Sequence, residues 1–435
     1  MRVIILAGGS GLRLWPLSTP EVPKQFLEMT SSGSFLQMTL ERALGLCSPE
    51  EVIIVTSEKH AARTRQHVTV LDPENKVHIL CEPQGKNTAG AIALALSYAR
   101  TSGLGSTEDT FLVLSSDHQI APAATFYERC LFAEKIAQSG EIVCFGAIAS
   151  RPETGYGYLE LQKNLNGDIG SEDHFKCRFI EKPSKEVAET FLKKGNYLWN
   201  CGMFLFQMGA ILEEFKVFFP EGYALCQIPY EEARNEFSSV PAISFDYAVM
   251  ERSNKVVAVP LKGVDWSDIG SFDELHASMK KDESQNALIG EVAVEKSSGC
   301  FAYSRDKPIA LLGVRDLNIV DTPKALLVAA KGHAQEVKAL AQKIKQSRRE
   351  YETEKVALEP DESREHTAVD SSVHWLIVSG LAEINCRGRT EKLTSGQSFF
   401  APAEIEASLS NQSAQMLNVI EVRLIELNSA EKSCV

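Results

Sequence analysis

Short apolar runs recur between helical patterns through the first two-thirds of this chain: Val3-Ile4-Ile5-Leu6-Ala7, Val52-Ile53-Ile54-Val55, His78-Ile79-Leu80-Cys81, Phe111-Leu112-Val113-Leu114 and Ile142-Val143-Cys144-Phe145. Such alternation predicts a mainly parallel sheet covered by helices, whose strands are buried on both faces. Ligands of such sheets sit beyond the carboxyl ends of the strands. The residues closing the runs, Gly8-Gly9, Glu82-Pro83 and Ser116-Asp117, are therefore the first candidates for a site. The opening run is short and meets glycine at once, so it reads as a first strand and not a signal peptide. No segment is long enough to span a membrane.

The texture changes near residue 155, where Tyr158-Leu159-Glu160-Leu161 and Lys176-Cys177-Arg178-Phe179-Ile180 flank a polar stretch with Asn166-Gly167, a hairpin pattern. Val256-Val257-Ala258-Val259 restores the α/β texture. Ser271-Phe272-Asp273-Glu274 then reads as a capping box opening a helix. A first unit is expected over 1–280, a small β-rich extension with a polar connector helix (near 334–355) over 281–355, and an all-β unit over 356–435. The 435 residues are enough for two or three units. Ten cysteines carry no Cys-x-x-Cys spacing, so reduced, mostly buried thiols in a cytoplasmic protein are expected.

The formal net charge of −13 excludes a general nucleic-acid binder, which needs a basic footprint. Any phosphate site must be locally basic. Gly8-Gly9-Ser10-Gly11 follows a strand directly, so its backbone N–H groups can approach a polyphosphate closely, with Arg13 and Lys24 as countercharge. It is neither a Walker loop nor a dinucleotide fingerprint. Glycines alone would equally suit a tight turn, but the full string Leu6 to Ser18 followed by Pro23-Lys24-Gln25-Phe26 is far more specific.

At that string the chain resembles the sugar-nucleotide pyrophosphorylases, and within them the longer bacterial mannose-1-phosphate guanylyltransferases. The resemblance recurs in order at Glu82-Pro83 with Asn87-Thr88-Ala89, Ser116-Asp117-His118, Thr154-Gly155-Tyr156-Gly157-Tyr158, Phe179-Ile180-Glu181-Lys182-Pro183, Trp199-Asn200-Cys201-Gly202, Phe245-Asp246-Tyr247-Ala248-Val249-Met250-Glu251 and Trp266-Ser267-Asp268-Ile269-Gly270. It implies an α/β, Rossmann-like mixed-sheet nucleotidyltransferase domain followed by a β-rich extension and an all-β cupin-like domain. It also implies GTP and mannose 1-phosphate as substrates, GDP-mannose and pyrophosphate as products, and Mg²⁺ as cofactor. Nucleic acid and membrane are not expected partners, and a homo-oligomer is compatible with the pattern.

Residue by residue, the resemblance assigns Gly8, Gly9 and Gly11 to the phosphates, and Arg13 and Lys24 to catalysis. Asp117 and Asp268 become the metal ligands. Alone each aspartate would suit a cap or turn, but a hard cation needs oxygen donors, and Mg²⁺ takes one or two carboxylates with substrate phosphates. Glu181-Lys182, elsewhere a surface turn, would hold the sugar hydroxyls and the sugar phosphate, with Gly155 and Asn200 in the same pocket. The segment Glu82 to Lys86 resembles the base-recognition loop, where Glu82 or backbone carbonyls meet guanine. Asn87 adjoins it, and Thr88 is expected to cap the following helix. A phosphate monoester has a second pKa of about 6 and is already a nucleophile at neutral pH, so no general base is required.

From about 356 the chain resembles the cupin that isomerises mannose 6-phosphate, anchored at His374-Trp375-Leu376-Ile377-Val378-Ser379-Gly380. Ala368, Val373 and Ala407 stand where metal ligands are expected, and an apolar side chain cannot ligate a metal. A cupin without isomerase activity is expected. Thr19, Lys86 and Gly90 depart from the motif more mildly. The competing readings are a pyrophosphorylase making a UDP-, ADP- or dTDP-hexose, and a non-catalytic sugar-nucleotide-binding regulatory subunit. Retention of Arg13, Lys24, Asp117 and Asp268 argues against the second.

Overall fold

The computed structural model describes residues 1–425 except 10, 31–32, 163–169, 171–172, 348–349, 367–370 and 403–404. Two compact units divide it, Met1–Lys338 and Ala339–Val435. The strands of the first unit up to residue 267 are β1 (Arg2–Leu6), β2 (Glu28–Thr30), β3 (Gly33–Ser34), β4 (Val52–Ser57), β5 (His78–Glu82), β6 (Thr110–Ser115), β7 (Gln119–Ala121), β8 (Ile142–Ile148), β9 (Tyr158–Leu161), β10 (Phe175–Ile180), β11 (Tyr197–Gln207), β12 (Val256–Pro260) and β13 (Asp265–Ser267). Nine of them form one sheet in the order β5-β4-β1-β6-β11-β8-β12-β10-β9.

β5, β4, β1 and β6 run parallel, as do β8 and β12. The 11-residue β11 runs antiparallel between β6 and β8, so the sheet is mixed. Continuous apolar runs make its strands buried on both faces. Ile4 joins one core cluster with the helix Asn87–Thr101, while Val3 and Ile5 join another with the helices Phe35–Leu44 and Ala123–Ala137. β9 and β10 pair antiparallel as the hairpin pattern required, though Asn166-Gly167 lies outside the described residues.

Behind the loop that follows β1, Leu14, Leu17, Leu27 and Phe35 pack with Ile269, Phe272, Phe301, Val320 and Leu327. The β-rich extension thus supplies the floor of that loop. Its strands Ala287–Ile289, Phe301–Tyr303 and Leu317–Asp321 pair in parallel, stacked like coils. The polar helix expected near 334–355 spans Val337–Ser347, and Glu350–Leu358 is a strand paired along its length with Leu417–Ile425.

The second unit is two four-stranded antiparallel sheets closing on Val373, Trp375, Ile377, Ile384, Ala407 and Leu409. Buried Glu421 ties them together: Arg364 from one sheet reaches it at 3.2 Å and Trp375 Nε1 donates to it at 2.8 Å. Among the described residues the cysteines are free, and no helix is long and apolar enough to cross a membrane.

Candidate functional site

At the carboxyl end of β1 the chain turns through Gly9 (φ +116°) and Gly11 (φ +55°). A Cβ on Gly11 would lie 2.6 Å from Lys24 Cβ and 2.9 Å from its backbone nitrogen, so only glycine lets Lys24 come this close. Gln25, buried beside it, donates from Nε2 to the Ala7 carbonyl at 2.9 Å and fixes the loop to the strand end.

Lys24 is buried, and its ammonium is the centre of the arrangement. It lies 2.9 Å from Asp117 Oδ2 and also donates to the Asp268 carbonyl. Asp117 follows β6 and accepts the Ser115 hydroxyl at 2.6 Å. Burial opposes its ionisation, but the Lys24 ammonium and the Ser115 hydroxyl outweigh burial and hold its carboxyl well below the usual range. Asp268 follows β13, and half-exposed Arg13 stands 3.7 Å from its Oδ2. Residues 93 and 244 positions from Lys24 therefore meet on one ammonium. Gly8 adjoins Glu82 at the end of β5, where an added Cβ would lie 3.0 Å from Glu82 Oε1. Burial alone pushes the Glu82 carboxyl up to about 7.

Three side chains to which the sequence reading gave no role at the site complete this edge. Tyr156 reaches Asp268 Oδ1 at 2.7 Å and Glu274 Oε1 at 2.9 Å, and Arg151 donates to the same Glu274 oxygen at 2.8 Å. Ser271 caps its helix by accepting from the Glu274 nitrogen, but the Glu274 carboxylate does not return to it. That carboxylate accepts from Gly270 N and closes only half of the expected box. His118 is buried, its Nδ1 facing Trp266 Nε1 at 3.3 Å, and burial keeps its pKa below the ordinary value.

The residues expected to hold the sugar gather where the amino-terminal half of β11 lies beside the carboxyl end of β8, with Asn200 opposite Gly146. Lys182 Nζ lies 2.8 Å from Glu181 Oε1. Asn200, at the irregularity in β11, points its amide at Asp246. Gly155 does not reach this group: it is an exposed turn residue whose nitrogen donates to Glu153. Gly157 takes the place expected of it. Its carbonyl accepts from Asn200 N, and a Cβ there would stand 2.6 Å from Glu181 Oε2.

Thr88 is likewise corrected. It lies inside the helix Asn87–Thr101, and its hydroxyl accepts from Phe245 N at 2.8 Å, a tertiary contact in place of a cap. Asn87 is exposed in a left-handed conformation (φ +65°), with its side-chain oxygen accepting from Thr88 N.

A glycine turn, a buried lysine and two aspartates gathered beyond the strand ends of a mixed α/β sheet define a nucleotidyltransferase. A nucleotidyl transferase family profile matches residues 2–285, a mannose-6-phosphate isomerase/guanylyltransferase-like β-helix profile 290–344, and a mannose-6-phosphate isomerase C-terminal profile 340–430. The mannose-1-phosphate guanylyltransferase of Salmonella montevideo is 34% identical, covering 97% of this chain and 95% of its own. The alginate biosynthesis protein AlgA of Pseudomonas aeruginosa is 32% identical over 97% and 93%. A crystal structure from Thermus thermophilus, described as a mannose-1-phosphate geranyltransferase, superposes with TM-score 0.70 at 30% identity, covering 79% of this chain and 99% of that one. The chain belongs to the mannose-1-phosphate guanylyltransferase family of enzymes.

In the second unit Val373 and Ala407 are buried and apolar, and Ala368 lies outside the described residues. Neither apolar side chain can ligate a metal. The purified protein is expected to show no conversion of mannose 6-phosphate to fructose 6-phosphate in a coupled assay with added Zn²⁺, Co²⁺ or Mn²⁺. Metal-stimulated conversion would contradict this.

Proposed function

We propose that this chain transfers the guanylyl group of GTP to α-D-mannose 1-phosphate, giving GDP-mannose and releasing pyrophosphate. The observation that carries this reading is the convergence of Lys24, Asp117, Asp268 and Arg13 beside the glycine turn. The family's relatives carry the choice of base and sugar.

The donor set fits a hard divalent cation. The Lys24 ammonium touches the Asp117 carboxylate and the Asp268 backbone carbonyl, while the Asp268 carboxylate faces Tyr156 and Arg13 on the same edge. Among the described residues no group of three or more His, Cys, Asp or Glu side chains stands together as a cage. Mg²⁺ takes one or two carboxylates and completes its shell with water and substrate phosphate. Asp117 and Asp268 would hold it, and it would supply positive charge at the reacting phosphate.

The protein's own part is alignment and neutralisation. The backbone N–H groups at Gly8, Gly9 and Gly11 face the polyphosphate, while Arg13 and Lys24 offset charge that grows on the departing pyrophosphate. The dianionic sugar phosphate, held by Lys182 and Glu181, attacks the α-phosphorus in line. No side chain needs to remove a proton, and His118 Nδ1 already accepts from Trp266 Nε1.

The test is pyrophosphate release across GTP, ATP, UTP and dTTP combined with mannose, glucose and galactose 1-phosphates. GTP with mannose 1-phosphate is expected to exceed every other pair. A faster uridylyl, adenylyl or thymidylyl pair, or no release from any pair, would overturn the assignment.

A further inference from the structure

Asn200 has four hydrogen-bonding positions, two acceptor and two donor. Its oxygen already accepts from Gly202 N at 2.9 Å and faces Cys144 Sγ at 3.1 Å, and its amide donates to Asp246 Oδ1 at 3.1 Å. Both acceptor positions are taken, so Asn200 has no lone pair to offer a sugar hydroxyl. Its amide carries two N–H groups, of which one fixes the position of Asp246.

Asp246 opens the wide helical turn Asp246–Met250, closed by Glu251 N donating to the Asp246 carbonyl at 3.0 Å. Its side chain is only partly covered. No ion pair reaches it among the described residues, and the guanylyl-transfer scheme above gives it no task. Burial first, and then the neighbouring Glu181 charge, push its carboxyl up to about 6. Two carboxylates thus face one small region, with Lys182 beside both and Glu181 packed so closely on Gly157 that a Cβ there would stand 2.6 Å from Glu181 Oε2. The Asn200 amide fills one of the roughly four acceptor positions of that carboxylate, and a partly buried carboxylate gains from each further donor that meets it. Hydroxyl groups of a hexose are donors of the kind that such a pair of carboxylates accepts.

We propose that Asp246 accepts a hydrogen bond from a ring hydroxyl of the hexose 1-phosphate and, together with Glu181, sets which sugar is taken. Asn200 is then a positioning residue that acts through Asp246. This rests on mannose 1-phosphate being the acceptor substrate.

The test is a cycle between protein and substrate: kcat/KM for mannose 1-phosphate and its 2-, 3-, 4- and 6-deoxy analogues, measured with wild type and Asp246→Asn. A hydrogen bond to a charged group is typically worth about 10- to 100-fold. Asp246→Asn is expected to lose that much on mannose 1-phosphate, mainly through KM, with the KM for GTP unmoved. One deoxy analogue is expected to cost wild type a similar factor and to cost Asp246→Asn little more. Asn200→Ala is expected to weaken the coupling to that same hydroxyl. Additive losses at every analogue would overturn the inference while leaving the reaction standing. No turnover of mannose 1-phosphate by wild type would overturn the reaction itself. Thermal melting monitors folding, and Asp246→Ser repeats the cycle if Asp246→Asn does not fold.

Discussion

Purified Asp117→Ala and Arg13→Ala are each expected to turn over at least about 10²–10³ times more slowly than wild type, the usual loss when one preorganised charge-stabilising group is removed. The two substitutions act differently. Asp117 is held ionised by Lys24 against the pull of burial, so removing it takes away an oxygen donor and the partner that fixes the Lys24 ammonium. Arg13 is half-exposed and packs loosely against Asp268, so its loss leaves the fold untouched and removes only a cation from the phosphate edge. Single-turnover pyrophosphate release, with circular dichroism to confirm folding, measures both. Because Asp117 stays charged far into acid, its contribution is not expected to impose a pH limit near neutrality. Near-normal turnover of either variant would remove that residue from the reaction.

The parts of this site that local sequence carries are those fixed by covalent neighbours. A strand that ends on glycines, a lysine a dozen residues on and an aspartate closing another strand are each visible within a few positions. Tyr156 stood in a family string and Glu274 in a capping box, but their role at the site was not legible, because it arises only when Asp268, after β13, meets a tyrosine 112 residues away. Thr88 shows the same limit from the other side. Its position before an apolar run suits a cap, but the backbone nitrogen of Phe245, 157 residues distant, claims its hydroxyl. Gly155 and Gly157 are indistinguishable as glycines two residues apart. Only the approach of Glu181 tells which one must lack a side chain. The sheet was legible because its strands are buried on both faces, but the antiparallel insertion of β11 follows from pairing, which no single run of residues records.

Glu82→Gln is expected to make the protein more stable and the enzyme less selective. Glu82 is buried, and burial alone pushes its carboxyl from 4.5 up to about 7. Between those two values the folded protein holds a proton that the unfolded chain has released, so stability falls as pH rises through that window, and the full cost is present above it. Near pH 8 that cost is up to roughly 3 kcal/mol, and glutamine does not carry it. Thermal melting of Glu82→Gln should therefore exceed wild type at pH 8 and converge with it near pH 4. A carboxylate kept charged in such a place needs a donor to justify it, and the N1–H and N2 amino group of guanine are two donors side by side. Glutamine presents an N–H toward one of them, so the preference for GTP over ITP, which lacks the N2 amino group, is expected to shrink by about tenfold or more. Higher stability with an unchanged preference would move base recognition to the backbone carbonyls between Glu82 and Lys86. Unchanged melting at pH 8 would mean that Glu82 carries no unpaired charge in the free enzyme.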